Sequence, residues 1–318
     1  MITLFELHWS HYCEKIRLVL DVSGLPWKAV GIDAFTKREM AGYPIPAHLP
    51  NRTVPAILDE ATGEFVMDST PIVRYLARTY PQVAKLFPGD ESNRAEIDQR
   101  LVEFDSVLGI GARRFGYIQV ILECPELLPS LFLSHRANGF FCRPLISRIS
   151  AAVLGMLLSK RFDFHRSDKT GMYEALERYL LKLAQELDGR EFIVGEQLSV
   201  ADLAFAAQMR PLTIVPFFTD NPALQSLFAR HRQLLQKYSN EPDSRYQVAI
   251  ASARARKAPV RRRLRTVTSD FGFHACNDLA ANDHRVLWDR AMWLMPFHYW
   301  ITLRKSKRRL AVATARYR

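Results

Sequence analysis

The sequence contains few cysteines, and their positions exclude several classes of protein. Its 318 residues include four cysteines, Cys13, Cys124, Cys142 and Cys276, and no two of them form a CxxC pair. This scattering argues against a disulfide-stapled fold and against a zinc site, and it is typical of proteins in a reducing compartment. We therefore expect no metal and a cytoplasmic location.

The sequence also lacks a hydrophobic run long enough to predict a membrane span. The longest stretch without Asp, Glu, Lys or Arg between apolar neighbours covers residues 291–303, and its 13 residues are fewer than the ~20 that cross a bilayer. The N-terminus has no basic leader, and Glu6 interrupts its first apolar run. We expect neither a transmembrane helix nor a signal peptide.

Charge of one sign is concentrated at the C-terminal end. Residues 241–318 contain 17 Lys and Arg against 6 Asp and Glu, whereas the first 240 residues contain 27 of each. This distribution indicates a balanced globular body followed by a basic C-terminal extension, helical or partly disordered.

Two basic runs lie within the extension, with several aromatic residues between them. Residues 254–265 contain seven basic residues and residues 304–309 contain five. Folding back onto the body is the first interpretation. Contact of residues 254–309 with an anionic membrane surface, which would make the protein a peripheral membrane protein, is the second. Nucleic acid is the third, and we do not expect it, because no recognised nucleic-acid-binding motif accompanies these runs.

Apolar periodicity in the first 81 residues predicts an α/β unit in the order βαβ followed by ββα. Four short apolar runs are predicted strands, over residues 2–7, 27–32, 55–59 and 64–67. Two helices are predicted, one over residues 12–22 and one from about Ser69, its expected cap, to about Tyr80.

Strand signals stop after a Pro- and Gly-rich linker over residues 81–91, and helical periodicity follows. Five helices are predicted, over residues 93–118, 146–162, 170–188, 200–210 and 222–238. Prolines and a glycine interrupt residues 124–144, which have no predicted element.

Four short motifs stand at the ends of predicted elements. They are residues 10–13 (Ser-His-Tyr-Cys), 53–55 (Thr-Val-Pro), 68–69 (Asp-Ser) and 198–203 (Leu-Ser-Val-Ala-Asp-Leu). With this order and spacing the chain resembles the cytosolic glutathione transferases over roughly residues 1–240. The last motif is also a capping box. It predicts the start of a buried helix, and its side chains are not expected to take part in catalysis.

The resemblance implies a fold and a class of activity. We expect a thioredoxin-like, glutathione-binding α/β domain over residues 1–81, an all-helical domain over residues 92–240, and an extension over residues 241–318 without a counterpart in the family. Glutathione would be the substrate, and its thiol would attack a small hydrophobic electrophile or serve in a glutathione-dependent reduction. Relatives are commonly homodimers, so a homodimer is expected here as well.

The resemblance implies that Ser10 is the activating group. Its hydroxyl would donate a hydrogen bond to the glutathione sulfur and lower the pKa of that thiol. Cys13 is a second catalytic candidate, with burial on the inner face of the helix as its alternative. Tyr12 is an alternative activator, and His11 is expected to be an exposed loop residue. Lys15 and Arg17 are each expected to form a structural ion pair.

The same resemblance implies five glutathione-binding residues. A cis peptide bond between Val54 and Pro55 would turn backbone groups of Val54 toward the cysteinyl backbone of glutathione. Asp68 would bind the γ-glutamyl ammonium, and the helix start at Ser69 would bind the γ-glutamyl carboxylate. Arg52 is the preferred cation for the glycine carboxylate. The alternatives are Lys37, Arg38 and His48.

The electrophile pocket is expected between the first loop and the first long helices. Tyr12, Phe104, Arg113 and Tyr117 are its candidate lining residues, although aromatic residues at helical spacing also occur in cores. A rival reading of the whole chain is a non-catalytic binding module, related to the transferases in fold and attached through its basic, aromatic extension to a membrane surface or a partner.

Overall fold

The computed structural model describes residues 1–34, 36–46, 53–132, 144–161, 169–240 and 250–251. The C-terminal basic runs, Arg52 and His48 lie outside these residues. Among the described helices, none has the length and apolar content that crossing a membrane requires.

The N-terminal part is built on a four-stranded sheet in the order β2-β1-β3-β4. The strands are β1 (Ile2–Glu6), β2 (Trp27–Gly31), β3 (Ala56–Asp59) and β4 (Phe65–Met67). β1 pairs in parallel with β2 and antiparallel with β3, which pairs antiparallel with β4. Every residue of β1 is buried, which places this strand at the centre of the sheet.

Two helices complete the N-terminal unit in the predicted βαβ-ββα order. They are α1 (His11–Ser23) and α2 (Ser69–Thr79). Gly24 ends α1 with a left-handed backbone (φ 69°), a conformation that glycine adopts without steric cost. Helix α2 begins at Ser69, and the capping residue is Asp68, whose carboxylate accepts a hydrogen bond from the Ser69 N–H. The prediction that Ser69 itself is the cap was therefore off by one residue.

The rest of the described chain is helical. The helices are α3 (Pro81–Ala84), α4 (Glu91–Glu103), α5 (Ile110–Glu123), α6 (Leu128–Phe132), α7 (Pro144–Arg161), α8 (Lys169–Glu186), α9 (Val200–Met209), α10 (Pro216–Thr219) and α11 (Gln225–Tyr238). A π-helical segment, Phe104–Gly109, joins α4 to α5, so the single helix predicted over residues 93–118 is interrupted. The linker predicted over residues 81–91 contains α3. Residues 124–144, for which no element was predicted, contain α6.

Helix α9 is the centre of the helical domain. All ten of its residues are buried, and it packs against α1. The predicted capping box is confirmed: the Asp202 carboxylate accepts hydrogen bonds from the Ser199 N–H and from the Ile193 N–H, both at 2.9 Å. The larger of two hydrophobic clusters runs from the sheet into the helices through this contact.

Candidate active site

Three of the sequence motifs meet at one edge of the sheet. Ala56, the first residue of β3, lies opposite Phe5 of β1 and Met67 of β4. Because both pairings are antiparallel, the C-terminal ends of β1 and β4 lie beside the N-terminal end of β3. The connections that contain Ser10 and Asp68 leave from those ends.

Ser10 lies at the N-terminus of α1 as its capping residue. Its Oγ accepts a hydrogen bond from the Cys13 N–H at 3.4 Å, and its own N–H donates to the Leu7 carbonyl at 2.8 Å. The side chain is half-buried. The free N–H groups and the dipole at this end of α1 favour negative charge, so a thiolate beside Ser10 would be stabilised.

Cys13 lies on the buried face of α1, with its side chain hydrogen-bonded to that of Ser10. It is fully buried, and burial, followed by the nearby charge of Glu6, raises the pKa of its thiol to about 12. The thiol is therefore protonated near neutral pH, and the thiolate is the form that reacts. The structure does not support Cys13 as a catalytic residue and leaves Ser10 as the candidate in this motif.

Tyr12 and His11 both point toward the helical domain. The Tyr12 hydroxyl donates to the Asp105 carbonyl at 2.9 Å, and burial raises its pKa to about 12. This hydrogen bond uses the proton that an activating tyrosine would need. His11 is buried, not exposed as expected, and its Nε2 lies 3.2 Å from the Gly109 carbonyl. Burial, with the charge of Arg113 second, lowers the pKa of His11 to about 3, so the ring is neutral and donates to that carbonyl.

At the start of α2, Asp68 is exposed and Ser69 is fully buried. The backbone of Asp68 has φ 72°, a region that residues other than glycine seldom occupy and that is enriched at functional sites. Its carboxylate accepts from the Ser69 N–H at 2.8 Å. A carboxylate and a helix N-terminus therefore lie side by side, which suits a ligand with adjacent ammonium and carboxylate groups.

The carboxylate of Asp105, in the π-helical segment, connects this site to the helical domain. It accepts from Lys15 Nζ at 2.7 and 2.9 Å, from the Thr70 hydroxyl at 2.7 Å, from the Ser69 hydroxyl at 3.2 Å and from the Gln208 amide at 2.8 Å. Lys15 is fully buried, and burial lowers its pKa while the Asp105 carboxylate opposes that shift.

Sequence reasoning predicted the ion pair of Lys15 but missed Asp105 and Gln208 as neighbours of the site. The available signal was a single acid between the apolar residues Phe104 and Val107 on a predicted helix. Such a position requires a buried partner, although the sequence does not say which one.

The backbone at β3 has the geometry that the resemblance implied. The Val54–Pro55 peptide bond is cis, and the Pro55 carbonyl accepts from the Asp68 N–H at 3.0 Å. This contact fixes the start of α2 against the start of β3. The preferred cation for the glycine carboxylate, Arg52, lies outside the described residues, and its role stays a prediction.

A cleft opens next to Ser10 between the first loop and α5. Trp9 and His11, on either side of Ser10, line it together with Arg113 and Tyr117. The structure thus brings two of the candidate pocket residues, Arg113 and Tyr117, to one place.

The remaining candidates, Phe104 and Tyr12, do not line this cleft. Phe104 is fully buried and packs against Phe205 at a ring distance of 6.0 Å, so it belongs to the core and its assignment to the pocket is corrected. Tyr12 approaches Arg113 with its ring, with 5.7 Å between the guanidinium carbon and the ring centroid. In the part of the chain that the structure describes, no group of three or more His, Cys, Asp or Glu residues could hold a metal.

Comparison with known protein sequences finds similarity to glutathione S-transferases. Residues 4–84 match the family model of the glutathione S-transferase N-terminal domain. Glutathione S-transferase D6 of Drosophila melanogaster is 23% identical over 217 residues, which cover 67% of this chain and 79% of the relative. The glutathione S-transferase-like protein ustS of Aspergillus flavus is 26% identical over 217 residues, which cover 61% and 70%.

Solved structures have the same fold at low identity. A delta-class glutathione transferase of Nilaparvata lugens aligns with a TM-score of 0.52 at 19% identity, covering 81% of this chain and 99% of that one. A Bombyx mori glutathione S-transferase aligns with a TM-score of 0.51 at 17% identity, covering 79% and 96%. Residues 4–84 are therefore similar to the N-terminal domains of glutathione S-transferases, and the described residues share their fold with the solved glutathione transferases.

Proposed function

We propose that this chain is a glutathione transferase that activates the glutathione thiol at Ser10. The observation that supports it best is the convergence of Ser10 and the Asp68–Ser69 pair at one edge of the sheet. The curated relatives, both named as glutathione S-transferases or as similar to them, support the same activity class.

In this proposal the N-terminus of α2 binds the γ-glutamyl end of glutathione. The γ-glutamyl carboxylate takes the Ser69 N–H and hydroxyl, which at present donate to Asp68 and Asp105. The Asp68 carboxylate, released from the Ser69 N–H, binds the γ-glutamyl ammonium. Val54 supplies backbone partners for the cysteinyl residue, and Arg52 remains the proposed cation for the glycine carboxylate.

The chemical step follows from the position of Ser10. Its hydroxyl donates a hydrogen bond to the sulfur, and the α1 N-terminus adds favourable electrostatics, so the thiol releases its proton to solvent more readily. The thiolate then uses its electron pair to form a C–S bond with an electrophilic carbon. A leaving group departs, or in a conjugate addition the neighbouring carbon takes a proton from water.

Other properties of the protein remain predictions. A homodimer is proposed by analogy with the family that the chain resembles, and a cytoplasmic location is proposed from the scattered cysteines. Peripheral membrane contact through residues 254–309 has no support in the described residues. The non-catalytic alternative depends on the same extension, and nothing in the described residues favours it.

The test compares full-length wild type with Ser10→Ala, using glutathione and a generic aryl halide. A hydrogen bond to a charged group contributes about 1.5–3 kcal/mol, so Ser10→Ala should lower kcat/KM by roughly 10- to 100-fold. The KM for glutathione should change little, and the apparent pKa of the kcat/KM profile should rise.

The matched control is Ser226→Ala, which changes an exposed serine on α11, away from the cleft. It should leave kcat/KM unchanged. Equal activity of wild type and Ser10→Ala would remove the proposed role of Ser10.

A further inference from the structure

Helix α7 exposes a row of large apolar side chains. Ile149, Val153 and Leu157 are 47%, 45% and 43% exposed. They are spaced four positions apart, so they lie in one row along the helix. Lys160, three positions after Leu157, is also exposed and ends the same row. We call these four residues the α7 surface.

The opposite side of α7 is apolar as well. Ala151, Leu154 and Leu158 are buried, and the helix packs against α6. A helix at the surface of a protein in water usually has polar residues on its exposed side. A contiguous apolar row on that side is typical of a surface that binds a partner or a membrane.

The charges of α7 all have the same sign. The helix contains Arg148, Lys160 and Arg161 and no Asp or Glu. The stretch without acidic residues extends over residues 127–162, which contain five Lys and Arg. Since opposite charges attract, an anionic binding partner suits this helix.

The same charge disfavours two other occupants of the α7 surface. A symmetric contact between the α7 helices of two copies would bring their basic residues together without acids to pair with them. The C-terminal extension, residues 241–318, contains 17 Lys and Arg against 6 Asp and Glu, so its net charge has the wrong sign as well.

The types of apolar residue in α7 favour a membrane over an acidic protein. The sequence of α7 contains no Phe, Tyr or Trp, and the exposed row consists of Ile, Val and Leu. The residues that dominate protein–protein binding are enriched in Trp, Tyr and Arg, whereas Leu and Val are under-represented. Aliphatic side chains on a basic helix match the acyl chains and anionic headgroups of a bilayer surface.

We propose that the α7 surface docks on an anionic membrane. Ile149, Val153 and Leu157 enter the boundary of the acyl chains, and Lys160 lies beside the headgroups. This surface is separate from the basic runs of the extension, and the proposal does not depend on the transferase activity. Helix α6, on which α7 packs, supplies Leu131 to the cleft beside Ser10, so docking would bring that cleft near the membrane.

The experiment measures how much full-length protein sediments with lipid vesicles. Vesicles of phosphatidylcholine with about 30% phosphatidylglycerol are compared with vesicles of phosphatidylcholine alone. Wild type should bind the anionic vesicles about tenfold more strongly or better, and higher salt should weaken this binding.

Acidic substitutions test whether α7 makes the contact. Val153→Asp removes an apolar side chain and adds a charge that anionic lipid repels, so it should lower the partition coefficient by about tenfold or more. Leu157→Asp should have the same effect at a second position. The matched control is Val102→Asp, because Val102 is a valine on α4 that is 52% exposed. It should leave the partition coefficient within about twofold of wild type.

Lys160 tests the contribution of charge. Lys160→Gln should lower the partition coefficient on anionic vesicles by about fivefold, whereas Lys160→Arg should keep it. Urea denaturation identifies any variant that fails to fold. Sedimentation equilibrium without lipid should give wild type and Val153→Asp the same oligomeric state.

Four results would overturn the proposal. The first is wild-type protein that does not prefer anionic vesicles. The second is binding by both folded α7 variants that equals wild type, which would place the attachment outside α7. The third is an equal loss of binding in Val102→Asp. The fourth is a change of oligomeric state in Val153→Asp without lipid, which would assign the α7 surface to a contact between copies.

Discussion

Lys15 Nζ donates hydrogen bonds to both carboxylate oxygens of Asp105, at 2.9 and 2.7 Å, and this ion pair joins the N-terminal domain to the helical domain. Lys15 has no exposed side-chain surface, whereas the side chain of Asp105 is 20% exposed. The same carboxylate accepts the hydroxyls of Ser69 and Thr70, so the position of the α2 N-terminus depends on a residue from the other domain.

Removal of one partner of this ion pair should destabilise the protein strongly. Lys15→Met leaves the Asp105 carboxylate without its cation in a mostly buried place, and we expect a loss of about 2–4 kcal/mol in the free energy of unfolding. Urea denaturation measures this loss. The control is Arg74→Met, because the Arg74–Asp98 pair is 43% and 46% exposed and should contribute less than about 1 kcal/mol. Equal losses in the two variants would contradict the assignment.

Gly109 should not tolerate alanine, although it lies in a helical segment. A Cβ at Gly109 would lie 2.5 Å from Gln208 Oε1 and 2.8 Å from the Tyr12 hydroxyl. Helix propensity alone favours Gly109→Ala by about 1 kcal/mol, whereas the overlap should cost about 1–3 kcal/mol more than that gain. Thermal and urea denaturation show whether Gly109→Ala is less or more stable than wild type.

The matched substitution for Gly109→Ala is Gly42→Ala, since a Cβ at Gly42 meets nothing within 4 Å. This variant should be neutral or slightly more stable than wild type. A stabilised Gly109→Ala would show that the two domains approach each other less closely than described.

Acid should destabilise the protein through two buried histidines, His11 and His231. Burial lowers the pKa of each to about 3, against about 6.5 in an unfolded chain. Between these values the unfolded state binds more protons, so stability falls as the pH drops below about 6.5. At pH 5 each histidine should cost about 2 kcal/mol relative to pH 7.5.

Amide variants test the contribution of each histidine. His11→Gln replaces the Nε2 donor to Gly109, and His231→Asn replaces the Nδ1 group that lies 2.8 Å from the Ala206 carbonyl. Each should reduce the loss of stability between pH 7.5 and pH 5 in urea denaturation. A pH dependence unchanged in both variants would mean that other groups cause the acid effect.

Cys13 should resist alkylation in the native protein. Its thiol is fully buried and its pKa is raised to about 12, so both access and thiolate population are low. Iodoacetamide at pH 7.5 followed by peptide mass mapping should leave Cys13 unlabelled in buffer and labelled in urea. Rapid labelling without urea would return Cys13 to consideration as a reactive thiol.

The sequence predicted the features of the site that depend on local order. The order of strands and helices along the first 81 residues, the loop with Ser10 and the approximate start of α2 follow from apolar periodicity and turn signals. The Asp105 network could not be predicted, because Lys15 and Asp105 are 90 positions apart and only tertiary packing selects the partner. The burial of His11 could not be predicted for the same reason, because its hydrogen-bond partner, Gly109, is 98 positions away.

Helix α1 is enclosed on several sides, and this has a consequence for how the molecule comes apart. Its buried residues include the polar side chains of His11, Glu14 and Lys15, whose partners Gly109, Arg210 and Asp105 all belong to the helical domain. Separation of the domains would expose the apolar surface of α1 to water. It would also break the hydrogen bonds and ion pairs of these three polar side chains. The two domains should therefore melt in a single cooperative transition, and neither should behave as an autonomous folding unit.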